Sequence, residues 1–178
     1  MSIPNFLSLL RIILVPVMVI LLIAGSFFKA LIVFGIAGAT DALDGFMARV
    51  LKQQTILGAY LDPIADKALL TSCFITLSIL GVVPGWLAVI VVSRDFVILV
   101  GISVLFMLSI PFKVRPAFVS KATTAMQLIT IFLVLVFQCW PIRDAVLRLQ
   151  LFYRITAGIT IISGFYYLLK GIKTINSV

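Results

Sequence analysis

The chain has 178 residues, of which 63% are hydrophobic and only 11% are charged. Soluble domains carry about 25% charged residues, so this composition excludes an ordinary soluble domain and predicts one integral membrane domain covering residues 1–178. Basic residues outnumber acidic ones by 14 to 6. In a membrane protein such an excess favours cytoplasmic loops that meet anionic lipid headgroups, and it argues against nucleic acid as a partner.

The N-terminal segment predicts a short interfacial helix ahead of the first membrane span. Apolar side chains recur there at helical spacing, at Ile3, Phe6, Leu7 and Leu10. The first span is predicted over 11–24, and Pro16 within it is expected to kink or loosen the helix.

Five further apolar runs follow, each approaching the ~20 residues that a helix needs to cross the hydrocarbon core. They are separated by turn signals rich in glycine, proline and serine. The predicted spans cover residues 28–50, 57–80, 85–108, 117–139 and 150–170. The predicted fold is therefore all-α: an integral membrane bundle of six transmembrane helices with a short N-terminal interfacial helix.

The basic residues favour a cytoplasmic N-terminus. In that orientation eight of them fall on the cytoplasmic side: Arg11, Arg49, Lys52, Lys113, Arg115, Lys121, Lys170 and Lys173. Four fall outside: Lys29, Arg143, Arg148 and Arg154. Six spans would then place the C-terminus in the cytoplasm as well.

The residue types that are absent restrict the chemistry. The chain contains no histidine, and its six acidic residues are all aspartates. A histidine-based catalytic triad and a histidine zinc site are therefore excluded, and any carboxylate base must be an aspartate. The two cysteines, Cys73 and Cys139, lie in apolar runs without framework spacing, and we expect them to be buried small hydrophobic residues.

Four of the aspartates cluster in one stretch, at Asp41, Asp44, Asp62 and Asp66. A charge at membrane depth costs about 2.5–3.5 kcal/mol and usually marks a functional site. The first two aspartates share one helix face and the last two share a face of the next helix. A loop of fewer than ten residues joins the helices, so antiparallel packing would bring all four carboxylates together. Hard oxygen ligands suit Mg²⁺ or Mn²⁺, and four could hold two ions that bridge a phosphate.

Small residues flank the acids and would allow a ligand or a facing helix to approach closely: Gly45, Ala48 and Gly58. Arg49 lies one turn beyond Gly45 and could hold a phosphate with two hydrogen bonds. Helix-end charges at the membrane interface could explain Asp41 alone, but not four acids on matched faces.

This stretch resembles the signature of the CDP-alcohol phosphatidyltransferases. The pattern Asp41-x2-Asp44-Gly45-x2-Ala48-Arg49-x8-Gly58-x3-Asp62-x3-Asp66 has the same spacing as that signature. The resemblance implies a six-helix membrane enzyme, usually a homodimer, with a polar cavity facing the cytoplasm, here in a bacterial inner membrane. It implies that the first three aspartates bind metal and that Asp66 deprotonates the acceptor hydroxyl, which attacks CDP-diacylglycerol and releases CMP. It also implies that Gly45, Ala48, Arg49 and Gly58 line the cytidine diphosphate site.

Two later stretches bear on the acceptor alcohol. Ser93-Arg94-Asp95 resembles the cardiolipin synthases of the family, and so does the run from Arg115 to Gln127. The opening Ile3-Pro4-Asn5-Phe6-Leu7-Ser8 is similar to both cardiolipin synthases and phosphatidylglycerophosphate synthases. The resemblance therefore favours phosphatidylglycerol as the acceptor, with glycerol 3-phosphate as the alternative.

For several basic residues the sequence leaves two interpretations open. Arg94 could bind an acceptor phosphate or form a structural ion pair, and adjacency predicts that Asp95 faces away from it. Lys121 could be a membrane-surface anchor or a phosphate contact, and Arg115 is a further candidate for that phosphate. Arg11 is predicted to be an interfacial anchor.

A small cation transporter with intramembrane carboxylates is an alternative of another class. Transporters of that kind tend to show paired halves with broken helices. Here the acids lie in one pair of neighbouring helices, and the second half of the chain has no counterpart.

Overall fold

The computed structural model describes residues 3–51, 56–107, 118–140 and 145–175. Side chains are described for residues 9–40, 65–101, 119–140, 149–169 and 171. All the regular structure in these ranges is α-helical, which confirms the predicted all-α class. The helices are α1 (Ile3–Ile23), α2 (Phe27–Leu51), α3 (Ile56–Ile79), α4 (Gly85–Met107), α5 (Phe118–Cys139) and α6 (Ala145–Ile175).

The helix bounds agree closely with the predicted ones, with two differences. Helix α6 extends about five residues beyond the prediction at each end. The predicted interfacial helix is not a separate element, because α1 runs without interruption from Ile3 to Ile23 and continues through Pro16. No glycine or turn signal separates the first ten residues from the apolar run, so nothing in the sequence ends the helix there.

Two glycines end helices by adopting a left-handed conformation. Gly25 has φ of 66° and follows α1, and Gly81 has φ of 71° and follows α3. After α1, the N–H of Ser26 donates to the carbonyl of Leu21 and the N–H of Gly25 donates to that of Leu22, both at 3.0 Å. This is a Schellman motif, in which glycine avoids the steric penalty that a Cβ would meet.

The helices form two compact units. The first comprises residues 1–83 and 131–142, and the second comprises residues 84–130 and 143–178. In the first unit, α1 packs against both α2 and α3. In the second unit, α4 packs against α6. The fully buried apolar side chains of the first unit include Met18, Leu22, Ala65, Cys73, Phe74 and Leu77. The burial of Cys73 confirms the expectation for that residue, whereas Cys139, near the end of α5, is only partly buried, so the prediction was wrong there.

Two segments of the described residues are long and apolar enough to cross a membrane: Val119–Cys139 and Leu149–Leu169. Leu9–Ile23 and Phe27–Thr40 are apolar but shorter. The six helices are thus confirmed, whereas a bundle of six membrane spans stays a prediction.

Candidate functional site

The aspartate motif lies on two helices that both pack against α1. Asp41 and Asp44 lie on α2, and Asp62 and Asp66 lie on α3. Their helical backbone confirms that each pair shares a helix face, since residues three or four apart are neighbours on a helix surface. Gly45, Ala48 and Arg49 belong to α2, and Gly58 belongs to α3. Except for Asp66, the side chains of the motif lie outside the described ones, so their convergence on one point stays a prediction.

Asp66 is bound by an arginine from α1. The Arg11 Nη1 donates to Asp66 Oδ1 at 2.5 Å, which makes a charge-assisted hydrogen bond and an ion pair. The side chain of Arg11 is 1% exposed, whereas that of Asp66 is 34% exposed. One carboxylate oxygen is therefore held by a buried arginine, while about a third of the Asp66 side chain remains exposed.

The position of Arg11 overturns its predicted role as an interfacial anchor. An anchor places its charged end in the headgroup region, but this guanidinium lies in the core of the first unit. Arg11, Met18 and Leu22 stand at i, i+7 and i+11 on one face of α1. Met18 and Leu22 are fully buried, so the face that carries Arg11 is the packed face.

Arg94 joins the three helices of the second unit. Its Nη1 donates to Asp95 Oδ1 at 2.7 Å. Its Nη2 donates to the hydroxyl oxygens of Ser120 on α5 and Ser163 on α6, both at 2.8 Å. The guanidinium also lies 5.8 Å from the ring centroid of Tyr167, within the range of a cation–π contact. This network supports the structural interpretation of Arg94, while a contact to the acceptor phosphate stays a prediction.

The contact between Arg94 and Asp95 corrects the expectation that these neighbours face apart. Adjacent residues on a helix diverge by about 100° at the Cβ atom, but the arginine side chain is long and flexible enough to fold back. Both side chains are buried, at 4% and 11% exposure, so the pair is shielded from water. Nε of Arg94 has no hydrogen-bond partner among the described residues.

Lys121 and Arg115 are the other two candidate contacts to the acceptor phosphate. Lys121 lies near the start of α5 and is exposed, as either of its two interpretations requires. Arg115 lies outside the described residues. Both stay predictions as acceptor contacts.

A polar seam between α5 and α6 was missed in the sequence, although it has a periodic signal. Buried polar side chains recur at helical spacing on α5 and on α6, and we call this set the polar seam: Thr123, Gln127, Thr130, Thr156, Thr160 and Ser163. The hydroxyl oxygens of Thr130 and Thr156 lie 2.7 Å apart, and Gln127 Nε2 lies 3.5 Å from the Thr160 hydroxyl oxygen. Hydrogen bonds of this kind hold helices together where water is excluded.

The donor set of the motif fits a hard divalent cation. Four carboxylates supply only oxygen ligands, which Mg²⁺ and Mn²⁺ prefer, and no thiolate or imidazole competes within the motif. Among the described side chains no group of three acidic, histidine or cysteine residues forms a metal site. That search includes Asp66 but not the side chains of Asp41, Asp44 and Asp62. The metal site therefore stays a prediction.

Comparison with known proteins identifies the family. The family model described as CDP-alcohol phosphatidyltransferase matches residues 1–166. The human protein named "Cardiolipin synthase (CMP-forming)" is 34% identical over 99% of this chain and 64% of its own length. A Mycobacterium tuberculosis protein named "Probable phosphatidylglycerophosphate synthase" is 32% identical over 99% of this chain and 85% of its own length.

A third relative is more similar over a shorter stretch. The Haemophilus influenzae protein named "CDP-diacylglycerol--glycerol-3-phosphate 3-phosphatidyltransferase" is 42% identical over 54% of this chain and 55% of its own length. The chain thus spans 64% of the human relative and 55% of this one. The names of the three relatives cover both candidate acceptors. Because the family model extends over nearly the whole sequence, the chain belongs to the CDP-alcohol phosphatidyltransferase family.

Proposed function

We propose that this protein transfers the phosphatidyl group of CDP-diacylglycerol to phosphatidylglycerol, giving cardiolipin and CMP. The observation that carries this proposal is the environment of Asp66. This residue is the last aspartate of the family motif, and it combines a fixed inner contact to Arg11 with a side chain that is one-third exposed. A base that must reach an acceptor hydroxyl needs that combination of fixed position and access.

In the proposed reaction, the carboxylate of Asp66 accepts the proton of the acceptor hydroxyl. The hydroxyl oxygen then forms a bond to the β-phosphorus of CDP-diacylglycerol. The bond between that phosphorus and the oxygen bridging to CMP breaks, and CMP leaves with the electron pair. No histidine is present in the chain to act as an alternative base.

The remaining motif residues bind the donor in this proposal. Asp41, Asp44 and Asp62 would hold Mg²⁺ or Mn²⁺, with Asp66 as a further ligand to a second ion. When bound, these ions neutralise charge on the pyrophosphate and on the departing CMP. The four residues that would line the cytidine diphosphate site are Gly45, Ala48, Arg49 and Gly58.

The choice of phosphatidylglycerol rests on two stretches of sequence and on one relative. Ser93-Arg94-Asp95 and the run from Arg115 to Gln127 resemble cardiolipin synthases, and the human cardiolipin synthase aligns with 99% of this chain. Glycerol 3-phosphate is the second candidate acceptor. The Haemophilus influenzae relative named for that substrate favours it, with 42% identity over its shorter alignment.

We further propose that all six helices cross a bacterial inner membrane, with both termini and the aspartate motif at the cytoplasmic face. The distribution of basic residues supports this orientation. Large apolar side chains are exposed along the helices, as lipid-facing positions require; examples are Ile20, Val89, Phe132 and Phe165. The family resemblance supports a homodimer, and chemical crosslinking in native membranes tests that state.

The decisive experiment supplies purified protein with CDP-diacylglycerol and Mg²⁺ or Mn²⁺, and offers phosphatidylglycerol or glycerol 3-phosphate in separate reactions. We expect metal-dependent CMP release with phosphatidylglycerol, appearance of cardiolipin, and loss of both when EDTA removes the metal. Product from glycerol 3-phosphate alone would refute the preferred acceptor. No CMP release with any alcohol would refute the enzyme proposal and would favour the alternative of a cation transporter.

A further inference from the structure

We propose that Arg11 is a positioning residue for the transfer reaction, which it serves by fixing the Asp66 carboxylate from inside the protein. This inference rests on the proposed function, because it assigns Arg11 a role through the proposed base. It adds α1 to the catalytic apparatus, whereas the family motif lies entirely on α2 and α3.

The first step of the argument is that Arg11 cannot easily move. Its side chain is 1% exposed and lies on the same face of α1 as the fully buried Met18 and Leu22. An arginine in a packed interior has few alternative rotamers, because neighbouring side chains fill the space around it. The guanidinium is therefore a fixed hydrogen-bond donor.

The second step concerns the carboxylate that it holds. Asp66 lies on the packed face of α3. The residues three, four and seven positions after it are all buried: Leu69, Leu70 and Cys73. A lone aspartate can rotate about its side-chain bonds. The 2.5 Å contact from Arg11 Nη1 to Asp66 Oδ1 restricts that rotation and favours one orientation of the carboxylate.

The third step is the consequence for the rate. Proton transfer to a base requires hydrogen-bond geometry in the transition state, and small misplacements of a catalytic group lower the rate by large factors. A lysine at position 11 keeps the positive charge but is a compact ammonium on a different stem, and it does not reproduce the planar guanidinium. Arg11→Lys should therefore separate the charge of this residue from its geometry.

The test compares the parent protein, Arg11→Lys and the control Arg154→Lys, which makes the same change at an exposed position of α6. The measurements are kcat and KM for CMP release, normalised to the protein that elutes as a folded species. We expect Arg11→Lys to lower kcat at least tenfold while KM for CDP-diacylglycerol changes less than threefold. Arg154→Lys should change neither. A fall in kcat of less than tenfold, or a rise in KM at constant kcat, would overturn the inference.

A second measurement does not depend on turnover. Thermal unfolding midpoints are recorded for Arg11→Met, Asp66→Asn and the double variant, together with the parent protein. If the two side chains act as a pair, the shift of the double variant will be smaller than the two single shifts added together. Additive shifts would show that the contact carries no energy and would also overturn the inference. A parent protein that is inactive with every acceptor would instead refute the proposed function, while the unfolding cycle would still report on the contact.

Discussion

Replacement of Arg94 by methionine should destabilise the protein strongly. The change removes the hydrogen bonds donated to Asp95, Ser120 and Ser163, each 2.7–2.8 Å long. A hydrogen bond that involves a charged group contributes about 1.5–3 kcal/mol. Methionine fills much of the same volume, so little of the loss comes from an empty cavity. We therefore estimate the loss of folding free energy from buried ion pairs that lose one partner, which is about 3–5 kcal/mol. For a chain of this size, that corresponds to a fall of roughly 6–20 °C in the unfolding midpoint.

The assay is thermal unfolding in detergent, followed by tryptophan fluorescence. The chain has two tryptophans, and Trp86 lies at the start of α4, the helix that carries Arg94. Lys121→Met serves as the control, because Lys121 is an exposed cation whose removal should change stability by less than about 0.5 kcal/mol. The double variant Arg94→Met with Asp95→Leu should recover most of the lost stability, because an apolar pair can replace a buried ion pair at little cost.

The outcome that refutes this reasoning is a shift below about 2 °C for Arg94→Met. A larger loss in the double variant than in the single one would also contradict it. The control variant also tests the second interpretation of Lys121. If Lys121 contacts the acceptor phosphate, Lys121→Met will raise KM for the acceptor while leaving the unfolding midpoint unchanged.

Three further predictions concern substitutions at single positions. Asp66→Asn should lower the rate of CMP release by about 10²–10⁴-fold, while binding of CDP-diacylglycerol, measured by calorimetry, is retained. Loss of metal binding in this variant would instead identify Asp66 chiefly as a metal ligand. Thr130→Val removes the 2.7 Å contact to Thr156 and should cost about 0.6–2 kcal/mol in thermal unfolding, and an unchanged midpoint would show that the polar seam is not stabilising there. Gly25→Ala should lower the free energy of unfolding by about 1–2 kcal/mol, because φ at Gly25 is 66°. Gly35→Ala is the control and should be neutral or stabilising, because Gly35 lies within α2 with open space around it. Equal effects of the two substitutions would argue against strain at Gly25.

The fold was largely predictable because its signals are local. Apolar runs of about twenty residues, separated by glycine and proline, predicted α2, α3, α4 and α5 to within one residue at each end. The ends of α1 and α3 coincide with Gly25 and Gly81, whose conformational freedom makes them helix terminators. The extra turns of α6 escaped prediction because charged residues, Arg148, Lys170 and Lys173, lie near its ends, and an apolar-run criterion leaves them out.

The candidate site was only partly predictable. The spacing of the four aspartates gave the shared helix faces, because that information lies within one stretch of sequence. The contact between Arg11 and Asp66 joins residues 55 positions apart, and no local rule pairs them. For Arg94 the adjacency rule failed, because it describes Cβ directions and takes no account of the length of an arginine side chain.

The order of synthesis gives the contact between Arg11 and Asp66 a further consequence. Helix α1 emerges from the ribosome before its acidic partner exists, since 55 residues separate the two. At ~5–20 residues per second, that interval is roughly 3–11 seconds. The contact that fixes Asp66 can therefore form only after α3 has been synthesised, and the candidate site is completed late relative to α1.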